Sequence, residues 1–448
     1  MKIAMLGPYP EVALKIHSEW GKQRIPCCNR SATEPPFSSA VAPVLSACPE
    51  RSRRAVEGTG AAWPSALQDG GATAESLAHV SGVDAVVVAL VAGLAQRPDV
   101  ALHVVTATPG RPAAKVSQQA GFTLHQVPRA RGGRLRWHRP FVRALQETVR
   151  TIRPDVIHAH GSGPYAAAAL DRGVPGVITL HGMVFREAAL GWREGDWPAR
   201  IRWGWDALYE RWVMRRATDV IAISPYVAQE FAHLTRARFH AIENPVDDRF
   251  FAVPDERLGQ LNVLCVARVI PRKDIVTLIR AFAAAHAAAR TATLTIAGET
   301  DTDPDYFHCC ERLADELGVG GQVHFAGNLD RGALAAAYAA ASLVALTSRQ
   351  ETAPVTVAEA MASGRPVVAT RAGGVPFMVQ DGETGRLAAV GDAATLGRHM
   401  AELLADTARR QALGRRGREV ARARFGLSSI VESTVALYAT LIAEKADG

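Results

Sequence analysis

Two carboxylates, Glu351 and Glu359, stand eight positions apart in the stretch Thr347 to Gly364. The apolar run Ala341 to Leu346 precedes them and reads as a buried strand. Pro354 suits the first turn of a helix, where its missing N–H costs nothing. Gly364 stops that helix, Pro366 prevents its restart, and Val367 to Thr370 reads as the next strand. Glu351 therefore falls in the turn at a strand's C-terminal end. Glu359 falls inside the helix, on the face of Val355 and Ala362, an odd setting for a solvated carboxylate. In an open α/β sheet, ligands bind beyond the carboxyl ends of the strands and beside helix N-termini. Two carboxylates placed there suit a polyol, because each accepts hydrogen bonds from neighbouring hydroxyls. The bare spacing also fits a surface Glu pair on an unrelated Rossmann-like unit.

The rest of the chain supplies repeated units of strand, polar strand end and helix. Met1 to Leu6 reads as a first strand, Val83 to Gln96 as a helix and Val100 to Thr106 as a strand. Phe141 to Ile152 is helical in pattern, and Pro154 to His160 reads as a strand ending in histidines. Gly176 to Leu180 is a strand running into His181, and Thr218 to Ser224 one ending in a hydroxyl. From Leu261 the pattern begins again: strand Val263 to Ala267, helix Ile275 to Ala288, and strands Thr293 to Gly298 and Gln322 to Ala326. Leu334 to Ala341 is helical and leads into the Glu351 stretch. Such alternation predicts parallel, doubly wound sheets with their sites at the strand tips. Residues 11–77 break it with scattered Pro, Ser, Arg and Gly, and are expected to be an insertion or a disordered loop.

The 448 residues suffice for two or three domains, and 48% hydrophobic with 21% charged residues is the composition of a soluble globular protein. A net charge of +7 favours anionic ligands or an anionic membrane face. No motif that reads RNA or DNA accompanies it, so nucleic acid is not an expected partner. The six cysteines, Cys27, Cys28, Cys48, Cys265, Cys309 and Cys310, offer neither zinc spacing nor a disulfide framework, which suits reduced thiols. Lys2 to Gly7 is too short an apolar run for a signal peptide, and Val83 to Ala95 is too short to span a bilayer. The expected location is cytoplasmic. Five of the eight tryptophans fall in Gly191 to Arg216 among many arginines. That segment reads as an amphipathic helix packing its aromatics inward, or as a face touching anionic lipid on the inner side of a membrane.

The Glu351 stretch, with Ala360-Met361-Ala362-Ser363-Gly364-Arg365-Pro366 and Gly373-Gly374 after it, resembles the GT4-type retaining glycosyltransferases of the GT-B fold. Ile242 to Asp247 resembles that family's interdomain linker, with Pro245 where glycine is commoner. The resemblance covers nearly everything outside residues 11–77 and is most specific from Val263 to Gly385. It implies two Rossmann-like domains facing across a cleft: residues 1–245, residues 246–428, and a last helix in 429–448 that crosses back to the first domain. It implies transfer of a sugar from a nucleotide-diphosphate donor to a glycan, lipid-linked or small-molecule acceptor, without metal or cofactor. Arg268 and Lys273 then hold the diphosphate, whose charge grows as the glycosidic bond breaks. Glu351 binds donor-sugar hydroxyls and Glu359 the ribose diol, with Thr352, Ala353 and Val355 around the diphosphate. His181 contacts donor or acceptor from the first domain, and Gly82, His160 and Ser224 are candidate acceptor-side contacts. Ala267 and Asp274 replace two family glycines, and Asp274 is placed to pair with Lys273. Pro354 and Phe377 stand where the family more often has Gly and Glu, a change bearing on sugar preference. A sugar-nucleotide epimerase of the same fold, or a non-catalytic sugar-nucleotide or glycan-binding protein, are the alternatives.

Overall fold

The computed structural model describes residues 1–8, 82–109, 113–129, 137–170, 173–194, 197–254 and 261–447. Residues 11–77, expected above as an insertion or loop, lie outside the described residues. The first sheet holds β1 (Lys2–Leu6), β2 (Ala101–Pro109), β3 (Lys115–Gln119), β4 (Phe122–Arg129), β5 (Val156–His160), β6 (Gly176–Leu180), β7 (Asp219–Ala222) and β8 (Arg238–Ala241). Its spatial order is β3-β4-β2-β1-β5-β6-β7-β8, parallel except for the β3–β4 edge pair. The second holds β9 (Asn262–Val266), β10 (Thr293–Ala297), β11 (Val323–Gly327), β12 (Leu343–Leu346), β13 (Val367–Thr370) and β14 (Gly385–Ala388). Its order is β11-β10-β9-β12-β13-β14, parallel throughout. The expected pair of doubly wound α/β sheets is present.

Strand order reverses between β1 and β5 in the first sheet and between β9 and β12 in the second. At such a reversal the connecting helices leave to opposite faces and open a crevice at the strand tips. Arg268 and Lys273 follow β9, and Glu351 follows β12, so these charged groups fall at that crevice. The strands themselves read as unbroken apolar runs because both sheet faces are covered. Val263 and Cys265 of β9 enter one core with Leu343 and Ala345 of β12, while Leu264, Val344 and Leu346 enter the core on the other face.

Among the described residues, the first domain's helices are α1 (Val83–Ala95), α2 (Arg139–Ile152), α3 (Pro164–Ala169), α4 (Val184–Glu194), α5 (Trp197–Met214) and α6 (Pro225–Phe231). Those of the second are α7 (Asp248–Phe251), α8 (Ile275–His286), α9 (Pro304–Glu316), α10 (Arg331–Ala340), α11 (Val355–Ala362), α12 (Val375–Met378), α13 (Ala393–Ala405) and α14 (Thr407–Phe425). The last helix, α15 (Leu427–Asp447), is long and apolar enough by composition to cross a membrane. Its inner face instead joins the first domain's core through Ile430, Val431, Leu437, Tyr438 and Leu441. A Cβ on Gly93 of α1 would lie 2.5 Å from Val431 Cγ2, so the glycine permits that approach. The two crossings between domains run side by side: Val246 N donates to Phe425 O over 2.9 Å, and Arg424 pairs with Glu243.

The β3–β4 hairpin, α9, β8 and β14 were not expected from the sequence. In β4, Phe122, Leu124 and Val127 are buried, and Gly121 takes φ 83° in the tight turn. Among the described cysteines, Cys265, Cys309 and Cys310 are free thiols.

Candidate active site

The turn after β12 is stitched to the turn after β9. Arg349 N donates to Arg272 O over 2.9 Å, Arg272 Nη1 donates to Gln350 O over 3.1 Å, and Thr347 Oγ1 lies 3.0 Å from Asp274 O. Thr370 Oγ1, at the end of β13, donates to Ser348 O over 2.6 Å. This bracing presents Lys273 Nζ to Glu351 Oε1 at 2.5 Å, while Ser348 Oγ donates to the same oxygen at 2.6 Å. Burial by itself would push the Glu351 carboxyl up. The Lys273 ammonium, the Arg272 guanidinium and the two hydrogen bonds overcome it and hold the group below its ordinary value. Glu351 is thus a buried, ionised acceptor.

Asp274 does not pair with Lys273, contrary to the sequence expectation. Its carboxylate turns back to cap α8, accepting from Thr277 N, and lies 3.5 Å from Arg349 Nε. Its backbone takes φ 51°, a left-handed conformation that Asp tolerates better than most side chains. The glycine that the resemblance expects there is replaced by a residue that keeps its φ and adds a helix cap. Arg268 is exposed at the crevice with no side-chain partner among the described residues.

Glu359 is 4% exposed within α11, and Tyr338 Oη donates to its Oε2 over 3.1 Å. Burial pushes this carboxyl up to about 7, with Arg331 and the Tyr338 hydroxyl opposing the rise. Thr352 is buried, and Ala353 packs against the cores of both domains. Ala353 and Val355 also line a small void shared with Ile223 of the first domain. Gly373 and Gly374 lie directly on the Glu351 turn, with Gly374 N donating to Glu351 O over 3.0 Å. A Cβ would meet Glu351 O at 2.0 Å from Gly373, and Thr352 O at 1.7 Å from Gly374.

The first domain brings three histidines together. His160, at the tip of β5, and His181, just past β6, approach with Nδ1 to Nε2 at 2.9 Å and rings stacked at 5.2 Å. Burial lowers His181 to about 4, the Asn244 side chain on the linker offsetting part of this, so the imidazole is neutral at physiological pH. His160 lies well below its usual value from burial and the neighbouring histidines. His158 has both nitrogens taken, by Tyr438 Oη at 2.5 Å and Thr179 Oγ1 at 2.6 Å, and reads as structural.

Ser224 is buried and donates to Thr352 O over 2.9 Å. Tyr226 Oη and the Gln350 amide lie 3.2 Å apart. The loop after β7 therefore docks on the Glu351 turn, and Ser224 ties the two domains where the sequence suggested an acceptor contact. Gly82 opens α1 with φ 60°, and no described residue lies within 4 Å of a Cβ added there. The structure thus brings Lys273, Glu351, Thr352 and Ser224 together and pairs His160 with His181, while the Arg268 side chain has no hydrogen-bond or ion-pair partner among the described residues.

Four supporting residues escaped the sequence reading: Ser348, Arg272, Tyr338 and Glu210. Glu210 is 1% exposed and accepts from Ser162 Oγ at 2.7 Å, Val184 N at 3.0 Å and Phe185 N at 2.9 Å. It caps α4 immediately after the His181 loop. Its sequence signal was an acid set four residues beyond Asp206 among the aromatic and apolar positions of α5; Tyr338 and Ser348 gave none.

Known families match both halves of this architecture. The description "Glycosyl transferases group 1" matches residues 246–420, and "Glycosyltransferase Family 4" matches residues 80–250. D-inositol 3-phosphate glycosyltransferase 1 of Catenulispora acidiphila is 33% identical over 312 residues, covering 64% of this chain and 72% of that one. MMP alpha-(1->4)-mannosyltransferase of Mycolicibacterium hassiacum is 29% identical over 306 residues, 65% of this chain and 72% of its own. Among solved structures, sucrose-phosphate synthase from Thermosynechococcus elongatus shares the fold at a TM-score of 0.66 and 24% identity, covering 81% of this chain and 94% of that one. WaaG, a glycosyltransferase involved in lipopolysaccharide biosynthesis, does so at 0.62 and 20%, covering 80% and 96%. The chain belongs to the group 1 glycosyltransferases of the GT-B fold. Its reaction class is glycosyl transfer from a nucleotide sugar.

Proposed function

We propose that the protein is a retaining, metal-independent hexosyltransferase that moves a sugar from a nucleotide-diphosphate donor to a glycan, lipid-linked or small-molecule acceptor. One observation carries this reading: the 2.5 Å contact of Lys273 with Glu351 at the β9/β12 reversal. The donor diphosphate lies against Lys273 and the exposed Arg268, whose fixed charges stabilise the leaving group as it gains charge. Lys273 then sits between phosphate and Glu351, so one cation sets the distance from diphosphate to sugar. Glu351, held ionised, accepts from sugar hydroxyls, and Glu359 accepts from the ribose diol. Neutral His181 meets the sugar or acceptor from the first domain as a hydrogen-bond partner rather than a cation.

Displacement on the donor's front face accounts for retention, because among the described residues no carboxylate at the cleft stands out as a covalent nucleophile. The acceptor hydroxyl attacks the anomeric carbon as the bond to the diphosphate breaks, and its proton passes to the departing phosphate oxygen. The cytoplasm and the inner membrane face are the proposed setting. The relatives named above are glycosyltransferases, which does not favour the same-fold epimerase. A non-catalytic binder would stabilise on nucleotide without consuming donor.

The test begins with thermal shifts against UDP, GDP, ADP and their common sugar conjugates, since a true ligand raises Tm with its concentration over Kd. The responding conjugate is then assayed for turnover. Glu351→Gln is expected to keep the fold, by circular dichroism, and to lose transfer by on the order of 10²–10³-fold. Near-normal turnover of that variant would overturn the site. Tm shifts without donor turnover would favour the binder.

A further inference from the structure

We propose that the outer face of α5 is a docking surface for an anionic phospholipid bilayer, with Ile201, Trp205 and Leu208 entering the interface and arginines meeting the headgroups. These three side chains are 46%, 40% and 52% exposed. Their spacing of four and then three residues puts them on one helix face. The exposed large hydrophobics among the described residues otherwise lie singly, at Val83, Val116, Leu317 and Val390, so this stripe is not scatter. The opposite face of α5 is committed inward: Tyr209, Val213 and Met214 are buried, and the Glu210 carboxylate caps α4.

Beside the stripe lies a groove of about 490 Å³ between α2 and α5, lined by Trp137, Arg139, Arg143, Tyr209 and Trp212. Trp137 stands edge-on to Trp205 with ring centroids 6.0 Å apart, so the groove is continuous with the stripe. Arg139 and Arg143 on α2, Arg202 and Arg211 on α5, and Arg215 just past its end are exposed and form no ion pair among the described residues. An apolar stripe framed by unpaired guanidinium groups and amphipathic aromatic rings is the pattern of a helix lying in a bilayer interface. Charge complementarity selects the occupant. A second copy would bring like charge against like, and a nucleic acid would leave the apolar stripe uncovered.

The placement has a consequence for the reaction. The α4–α5 pair begins directly after the His181 loop, and Glu210 ties α5 to Ser162 and to the first turn of α4. A bilayer on α5 therefore meets the first domain beside its acceptor-side loops, which favours an acceptor carried on a lipid. That extension rests on the proposed function; the docking surface itself does not.

The test uses the full-length protein and needs no turnover. Co-sedimentation is measured with phosphatidylcholine vesicles and with vesicles containing roughly one third phosphatidylglycerol. We expect binding to the anionic vesicles at low salt, at least about 10-fold weaker in about 0.5 M salt and on neutral vesicles. The combined Ile201→Ser, Trp205→Ser and Leu208→Ser variant is expected to lose that binding by at least about 10-fold. Its donor-induced Tm shift should match the wild type, which shows an intact fold. Absence of binding to anionic vesicles, equal binding to neutral ones, or wild-type binding by the serine variant would each overturn the proposal. So would a wild-type dimer that the serine variant abolishes, since a second copy would then cover the face. If vesicles bind but no donor turns over, the docking surface stands and the enzymatic reading falls.

Discussion

Glu351 and Glu359 belong to one strand–turn–helix unit and are similarly buried, at 7% and 4% exposure, yet they are driven in opposite directions. Glu351 has a lysine at 2.5 Å and stays ionised; Glu359 has a phenol at 3.1 Å and rises to about 7. The shift of Glu359 makes stability depend on pH. The folded protein holds a proton that the unfolded chain releases near 4.5, so this contribution is complete below about 4.5 and is lost as pH rises through about 7. Glu359→Gln carries no such dependence at this position. Its stability relative to the wild type should therefore improve by on the order of 3 kcal/mol between about pH 4.5 and pH 8, read from urea unfolding. A difference that stays flat across that range would mean that the carboxyl remains ionised in the fold.

Among the elements, the Glu351 turn is held from below by the turn after β9 and from above by Gly373 and Gly374. Gly374 has an ordinary φ of −80°, so its constraint is steric rather than conformational. Gly374→Ala puts a methyl 1.7 Å from a backbone oxygen, and backbone cannot rotate away as a side chain can. The turn must shift, and with it Glu351 relative to Lys273. We expect kcat/KM to fall by about 10- to 100-fold, since a displacement near 1 Å is enough to cost that much. Gly321→Ala, with nothing within 4 Å of the added carbon, is the control and should be neutral. Equal kinetics in both variants would show that the turn adjusts freely.

At the scale of the whole molecule, α15 belongs by sequence to the second domain and by packing to the first. Tyr438 is fully buried and reaches His158, and Glu444 pairs with Arg238 at 2.7 Å. Tyr438→Phe leaves a buried imidazole nitrogen without its hydroxyl partner, which costs about 1–3 kcal/mol. For a chain of this size the expected result is a Tm lower by roughly 2–10 °C, followed by scanning calorimetry. Because the same helix closes the first domain's core, the loss should fall on that domain's transition, with nucleotide-induced stabilisation retained. An unchanged first transition would mean that the helix adds little to that core.

The sequence by itself determined the alternation of apolar runs and polar strand ends, and with it two parallel sheets, because period and punctuation are local properties of a chain. It also placed Glu351 in a turn and Glu359 in a helix, and marked the cations after β9. Its resemblance to a family assigned those residues their roles. What it could not determine is which groups meet. Asp274 is next to Lys273 in sequence, yet Lys273 reaches Glu351, 78 residues away, because a left-handed backbone turns Asp274 into a helix cap. Ser224, a candidate acceptor-side contact in the sequence, is spent on Thr352 of the other domain, 128 residues away. The β3–β4 edge hairpin was missed as well. Tertiary structure alone also set the signs of the two glutamate shifts and the outward face of α5. Burial and partner charge depend on what folds over a residue, and that is a property of the packed molecule rather than of any window of sequence.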